Sequence, residues 1–245
     1  MQWIPPWLAT TYAKIVVGFG SSIFSTGDAA ALTRLEGRKL NLSVSRLASH
    51  GWLVRVGKGR YLALEPLAIM TALEGDWPSK LKGYPDAVPL VQVALSEIIR
   101  EYGSRLVSVV VFGSLARRGW NETSDIDLLV VADGLPDEYP RRLESVRRVA
   151  DACSPIRASQ WTRTGRDYHL LDLILLRRDE LDGGSNQLFM LDLTRDAIFL
   201  YDKDGFLSEK LKELGRKLDE TGAMRISTPT GKSHYWDLRG AMRER

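Results

Sequence analysis

VVVFGSLARRGWNETSDIDLLV, residues 109–130, is the stretch whose reading decides the fold. A run of β-branched residues ending at Phe112 reads as a buried strand, and it passes directly into Gly113-Ser114 and a short helix-forming segment. Backbone N–H groups at that helix start face whatever lies beyond the strand end, which makes the turn an anion cradle. About ten residues later a second strand opens with Asp125-Ile126-Asp127. Side chains alternate along a strand, so the two carboxylates share one face, about 7 Å apart, while Ile126 and Leu128 point into the core. Two such charges repel unless a divalent cation lies between them. Magnesium, which prefers hard oxygen ligands, suits the pair.

Working outward, the apolar strand His169 to Leu176 carries a third carboxylate, Asp172, which is costly to bury without a partner or a metal. Beside the Asp125 strand it completes a three-carboxylate set able to hold two magnesium ions, and the chemistry implied is nucleotidyl transfer from a triphosphate. The surrounding elements alternate. Helices are expected at about 91–102, 141–153, 186–195 and 207–219, strands at 106–112, 125–131, 169–176 and 197–201, and a terminal hairpin pairs 225–227 with 234–238. The fold class is α/β, in the α+β sense of a mixed sheet flanked by helices. Residues 154–168 read as an insertion-like stretch ahead of the third acid.

The combination of Gly113-Ser114, a spacer, Asp125-x-Asp127 between apolar residues and the later Asp172 resembles the nucleotidyltransferases of the DNA polymerase beta superfamily, above all their minimal bacterial and archaeal members. The resemblance covers roughly residues 88–205. It implies that Gly113 and Ser114 contact the triphosphate, that Asp125, Asp127 and Asp172 hold the metals, and that Asp172 helps deprotonate the acceptor hydroxyl. The family's short helix reads Gly-Ser-x-Ala-Arg-Gly, whereas this chain has Arg117-Arg118-Gly119. Which of the two arginines approaches phosphate is left open. Minimal enzymes of this kind occur in toxin–antitoxin pairs, where AMP from ATP goes to a tyrosine of a protein toxin, while related enzymes act on RNA ends.

The first part of the chain has a different character. Residues 1–64 carry eight basic and two acidic side chains, and the rest of the chain is net −3 against an overall +3. Helix signals at Pro5-Pro6, at Ser25 and over 41–50, a cap at Gly51 and a hairpin of 52–56 with 60–64 around Gly57-Lys58-Gly59 resemble a winged helix-turn-helix. Residues 1–74 are assigned to it, 75–89, rich in Gly and Pro, to a linker, and 90–245 to the nucleotidyltransferase part. In a DNA complex Ser43, Ser45 and Arg46 would face a major groove, with Lys58 and Arg60 on phosphate. The same module also serves as a protein-docking unit.

Composition removes other classes. One cysteine, Cys153, excludes an intrachain disulfide and a thiolate zinc site, and no secretory leader or apolar span is seen, so a cytoplasmic protein with no membrane partner is expected. His50, His169 and His234 lack zinc-ligand spacing. Gly18 to Ser22 and Asp202 to Gly205 read as turns, and Tyr235-Trp236 as a cover over the sheet, with stacking on a base as its alternative. A protein hydroxyl, a small molecule or an RNA end remain as acceptors. The rival reading is a non-catalytic DNA-binding regulator that docks a partner through a relic of the same fold.

Overall fold

The computed structural model describes residues 1–121, 124–165, 171–182, 188–228 and 234–238. Its N-terminal part runs α1 (Pro6–Phe19), β1 (Phe24–Ser25), α2 (Thr26–Thr33), α3 (Gly37–Ser49), β2 (Leu53–Gly57) and β3 (Arg60–Ala63). Pro6 opens α1, where a missing N–H costs nothing. Ser25 and Asp28 form a reciprocal capping box at α2. Helix α3 starts at Gly37, earlier than its polar sequence suggests, because Leu40, Val44 and Leu47 already form a buried stripe. The hairpin gains a strand that sequence patterning missed: the two residues of β1 pair antiparallel with β3. Tyr12 donates its hydroxyl to the Leu64 carbonyl at 2.6 Å, fastening α1 to the end of the hairpin.

Next come α4 (Pro66–Glu74), α5 (Trp77–Lys80) and α6 (Ala87–Tyr102). The stretch 75–89, read as a linker, holds α5 and buried side chains. Within 75–89 Trp77 and Leu81 are fully buried, so the Gly and Pro residues bend a packed chain rather than loosen a solvated one. Most of helix α6 is buried, and its charged residues Glu97, Arg100 and Glu101 are partly exposed. Arg100 near its end reaches the Ala63 carbonyl at 3.0 Å and Glu65 at 3.4 Å, and Ser96 Oγ accepts the Glu65 N–H.

The second part contains β4 (Leu106–Phe112), α7 (Gly113–Ala116), β5 (Ile126–Ala132), α8 (Tyr139–Thr164), β6 (Leu171–Leu176), α9 (Arg178–Asp182), α10 (Leu188–Asp196), β7 (Ile198–Asp202), α11 (Phe206–Glu220), β8 (Met224–Ser227) and β9 (His234–Asp237). The four-stranded sheet has the order β6-β5-β4-β7. It is mixed, since β5 and β6 are parallel while β4 runs antiparallel to both β5 and β7. The fold class is thus an α+β arrangement with a mixed sheet flanked by helices. Helix α8 continues far beyond Cys153: Val149, Cys153, Ile156 and Gln160 prolong one buried stripe, so most of the expected insertion is helical despite Pro155. The carbonyl that Pro155 leaves without its helical bond belongs to Asp151, an exposed residue. His169, Leu170 and Asn186, expected at element starts, lie outside the described residues.

One face of the sheet, with Leu128, Val130 and Leu173, packs on α6 and α8 in a core that continues into the N-terminal helices and hairpin. The other face, with Leu129 and Val131, packs on α10 and α11. Asp202 bonds the Ser108 hydroxyl and the N–H groups of Leu207 and Ser208, so the Asp202–Gly205 turn caps α11. No described helix is long and apolar enough to cross a membrane. Because the first core is shared, Trp77→Ala is expected to lower stability by about 3–5 kcal/mol, with both parts unfolding in one urea transition. Circular dichroism and tryptophan emission that diverge along the curve would contradict the shared core.

Candidate active site

The candidate site lies where β4 ends and β5 and β6 begin. Gly113 follows the last residue of β4 with φ at +69°, a left-handed conformation natural to glycine. A Cβ there would overlap Asp127 Oδ2 and stand 2.7 Å from Asp127 Cγ. The carboxylate of β5 therefore lies directly over the Gly113 backbone, and only a residue without a side chain lets it do so. The Ser114 N–H donates to the same carboxylate. That donor, expected to face an anion, is engaged by a protein anion already at hand.

Register explains why the acids meet. Asp127 is opposite Phe112 in β4 and Asp172 in the parallel strand β6, and register partners in adjacent strands sit about 4.8 Å apart with side chains on one face. That face is the α10 and α11 side, shared with Leu129 and Val131. Asp127 is half-buried, and burial first, then the charges of Asp172 and Asp125, push its carboxyl up to about 6; Arg117 and the Ser114 N–H pull in the opposite direction. Asp125 precedes the strand and is exposed. Asp172 is exposed as well, not buried as its apolar neighbours suggested, because it stands near the start of an edge strand.

Among the described residues no group of three or more His, Cys, Asp or Glu side chains closes around a common point tightly enough to hold a metal. The donor set nevertheless fits magnesium in kind: hard oxygens only, with three negative charges that act on one another.

The extra arginine has a structural explanation. The Gly119 N–H bonds the Ser114 carbonyl at 2.9 Å and the Arg118 N–H bonds that of Leu115 at 3.3 Å, with Arg118 at φ +60°. This is a Schellman-type helix end with Arg118 in the left-handed position usually given to glycine. Its side chain is exposed, whereas Arg117 is half-buried, 3.9 Å from Asp192 and close enough to act on Asp127. Asp192, on α10, is a member of the site's surroundings that sequence reading missed, since nothing in its local pattern distinguishes it from a surface carboxylate.

The N-terminal candidates divide. Ser43 is buried and bonds the Lys39 carbonyl at 2.9 Å, which removes it from the exposed face of α3. Ser45 and Arg46 are exposed, and the Arg46 guanidinium stacks over Trp7 at 5.5 Å. The same side of the helix borders an apolar groove of about 370 Å³ with Trp7, Leu35 and Leu42. Lys58 and Arg60 are exposed at the hairpin tip, beside Pro155, Ser159 and Thr162 of α8, in a groove of about 420 Å³.

The nucleotidyltransferase domain family matches residues 94–176. The match spans 83 of the 245 residues and holds Gly113, Ser114, Asp125, Asp127 and Asp172. No curated protein sequence matches the chain. Among solved structures, a toxin–antitoxin crystallised with AMP-PNP is similar over 53% of this chain and 90% of its own, at 15% identity and a TM-score of 0.33. A putative nucleotidyltransferase from Sulfolobus solfataricus is similar over 55% and 89%, at 22% identity and 0.32. TrmBL2, an archaeal chromatin protein, covers 71% and 73%, at 17% identity and 0.26. All three superpose weakly.

The contact at Gly113 makes a direct forecast. Gly113→Ala is expected to destabilise the protein by at least about 1–3 kcal/mol through backbone strain alone, and more through the clash. With the carboxylate removed, as in Asp127→Ala, the same change costs less. Urea unfolding of the two single variants and the double variant measures this, and strictly additive losses would show that the carboxylate is not what the methyl group meets.

Proposed function

We propose that the protein transfers a nucleoside monophosphate from a triphosphate, with ATP as donor, to a hydroxyl acceptor. The observation that carries this reading is the steric lock of the Asp127 carboxylate on Gly113, which brings a strand-to-helix turn and register-paired carboxylates to one sheet end. Asp125, Asp127 and Asp172 would hold two magnesium ions, which when bound neutralise triphosphate charge and lower the pKa of the attacking hydroxyl. Gly113 and Ser114 border the triphosphate, and Arg117 supplies the nearby cation, with exposed Arg118 available at the entrance. Exposed Asp172 takes the proton of the acceptor hydroxyl. Its oxygen then bonds the α-phosphorus as the bond to the leaving pyrophosphate breaks.

For the acceptor we favour a protein hydroxyl, a tyrosine of a toxin partner, over RNA. Residues 65–245 are net negative, and a broad RNA acceptor calls for a basic surface. Asp125→Asn and Asp127→Asn each remove one anionic ligand at constant shape, so calorimetry with ATP and magnesium should show weaker binding in both. Unchanged affinity in both variants removes the metal site. With labelled ATP, lysate protein and total tRNA, label should enter protein and vanish in Asp172→Asn. Label confined to tRNA replaces the acceptor, and nucleotide binding without transfer favours the non-catalytic regulator.

The N-terminal part is proposed as a winged helix that binds DNA through Arg46, Ser45 and the hairpin tip, in keeping with the +6 charge of residues 1–64. If Lys58 and Arg60 touch phosphate, replacing both should flatten the salt dependence of duplex affinity by about two units. Gel shifts across a salt series measure this, and no binding at low salt assigns the module to protein docking.

A further inference from the structure

Asp192 gathers three side chains from two separate parts of the chain. Its Oδ1 receives the Trp236 indole N–H at 2.8 Å and His234 Nε2 at 2.7 Å. Its Oδ2 faces Arg117 Nη1 at 3.9 Å. Arg225 of β8 approaches His234 Nδ1 at 3.4 Å and pairs with Asp196 at 2.6 Å. Arginine offers donors only, so His234 Nδ1 accepts and its proton sits on Nε2, pointing at Asp192. The hairpin β8–β9 is thus latched to α10 through one carboxylate, and the other oxygen of that carboxylate faces the arginine that follows α7.

Arg117 stands between two acids. Its charge acts on Asp127 from one side while Asp192 attracts it from the other. Without Asp192 the guanidinium would be drawn toward Asp127, and pairing there would compete with anything cationic that the carboxylate is to hold. With Asp192 present, Arg117 is drawn toward α10, and its partly exposed guanidinium offers planar donors suited to an incoming anion.

We infer that Asp192 is a positioning residue for Arg117, and that through it the terminal hairpin forms one wall of the triphosphate site. The inference deepens the nucleotidyl-transfer reading and rests on it. Trp236 then has a role beyond covering the sheet: its N–H orients the carboxylate that orients the arginine.

The test uses the full chain and calorimetry with ATP and magnesium. Asp192→Asn should weaken ATP binding about tenfold, the scale on which supporting partners of a site act, and raise KM while kcat changes far less. Asp192→Glu, which keeps the charge, should recover part of the loss. In Arg117→Ala the further change Asp192→Asn should add nothing, because the residue it positions is gone. Trp236→Phe, which deletes the donor and keeps an aromatic ring of smaller size, should give a smaller loss in the same direction and serves if Asp192→Asn does not fold. Wild-type binding with Asp192→Asn unchanged, or losses that multiply in the double variant, overturns the inference while leaving nucleotidyl transfer intact. No ATP binding by the wild-type protein, with Asp127→Asn identical to it, overturns both.

Discussion

Most of helix α6 is buried, and the arrangement of both parts of the molecule follows from that. Leu90, Val93, Ala94, Leu95 and Ile98 are all buried in a core shared by the N-terminal hairpin and the sheet. Apolar side chains on most of a helix's circumference have to be enclosed by neighbours, and here they come from two sequence-distant regions. Helix α8 bonds to it across the second part, with Gln160 on the Asp86 carbonyl and Cys153 on that of Leu90. Arg100, tied to Glu65 and Ala63, secures the first part. Neither part can move away without exposing this apolar surface to water.

The sheet built on that support fixes which groups meet at its end. With β4 in the centre and β5 beside it, the turn after Phe112 must pass under the first residues of β5, and the acid there is Asp127. The short distance leaves no room for a Cβ at Gly113, so the steric and electrostatic features of the site have one origin. Parallel pairing with β6 then sets a second carboxylate beside the first. Burial and like charge hold the Asp127 carboxyl near the neutral range, a condition that a cation or a positive side chain relieves.

The N-terminal part combines two surface characters. Its hairpin tip presents Lys58 and Arg60 toward a groove shared with α8, while the outer side of α3 places Arg46 on Trp7 beside an apolar groove. A basic tip suits a polyanion, and exposed aromatic and aliphatic side chains suit a protein surface or a second macromolecular contact. Since the tip lies against α8, any ligand on it also meets the part of the chain that carries the sheet.

Residues 109–130 by themselves determined the strand, the turn and the short helix, because an unbroken β-branched run and a Gly-Ser break are local signals. The N-cap at Ser25 and the left-handed cap at Gly51 were legible for the same reason. What the sequence left undetermined is whatever depends on partners far along the chain. Gly and Pro over 75–89 look like a linker until Trp77 is found buried beneath other elements. Polar residues after Cys153 look like an insertion until Ile156 and Gln160 are seen to continue a buried stripe. Asp172 looks buried by its neighbours but is exposed by its place on an edge strand, and Ser43 looks exposed but turns inward. Asp192 carries no local mark at all; only the packing of α10 against α7 and the terminal hairpin brings it to Arg117. Local periodicity encodes which face of an element is apolar, and the tertiary structure decides which elements cover that face and therefore which polar groups are brought together.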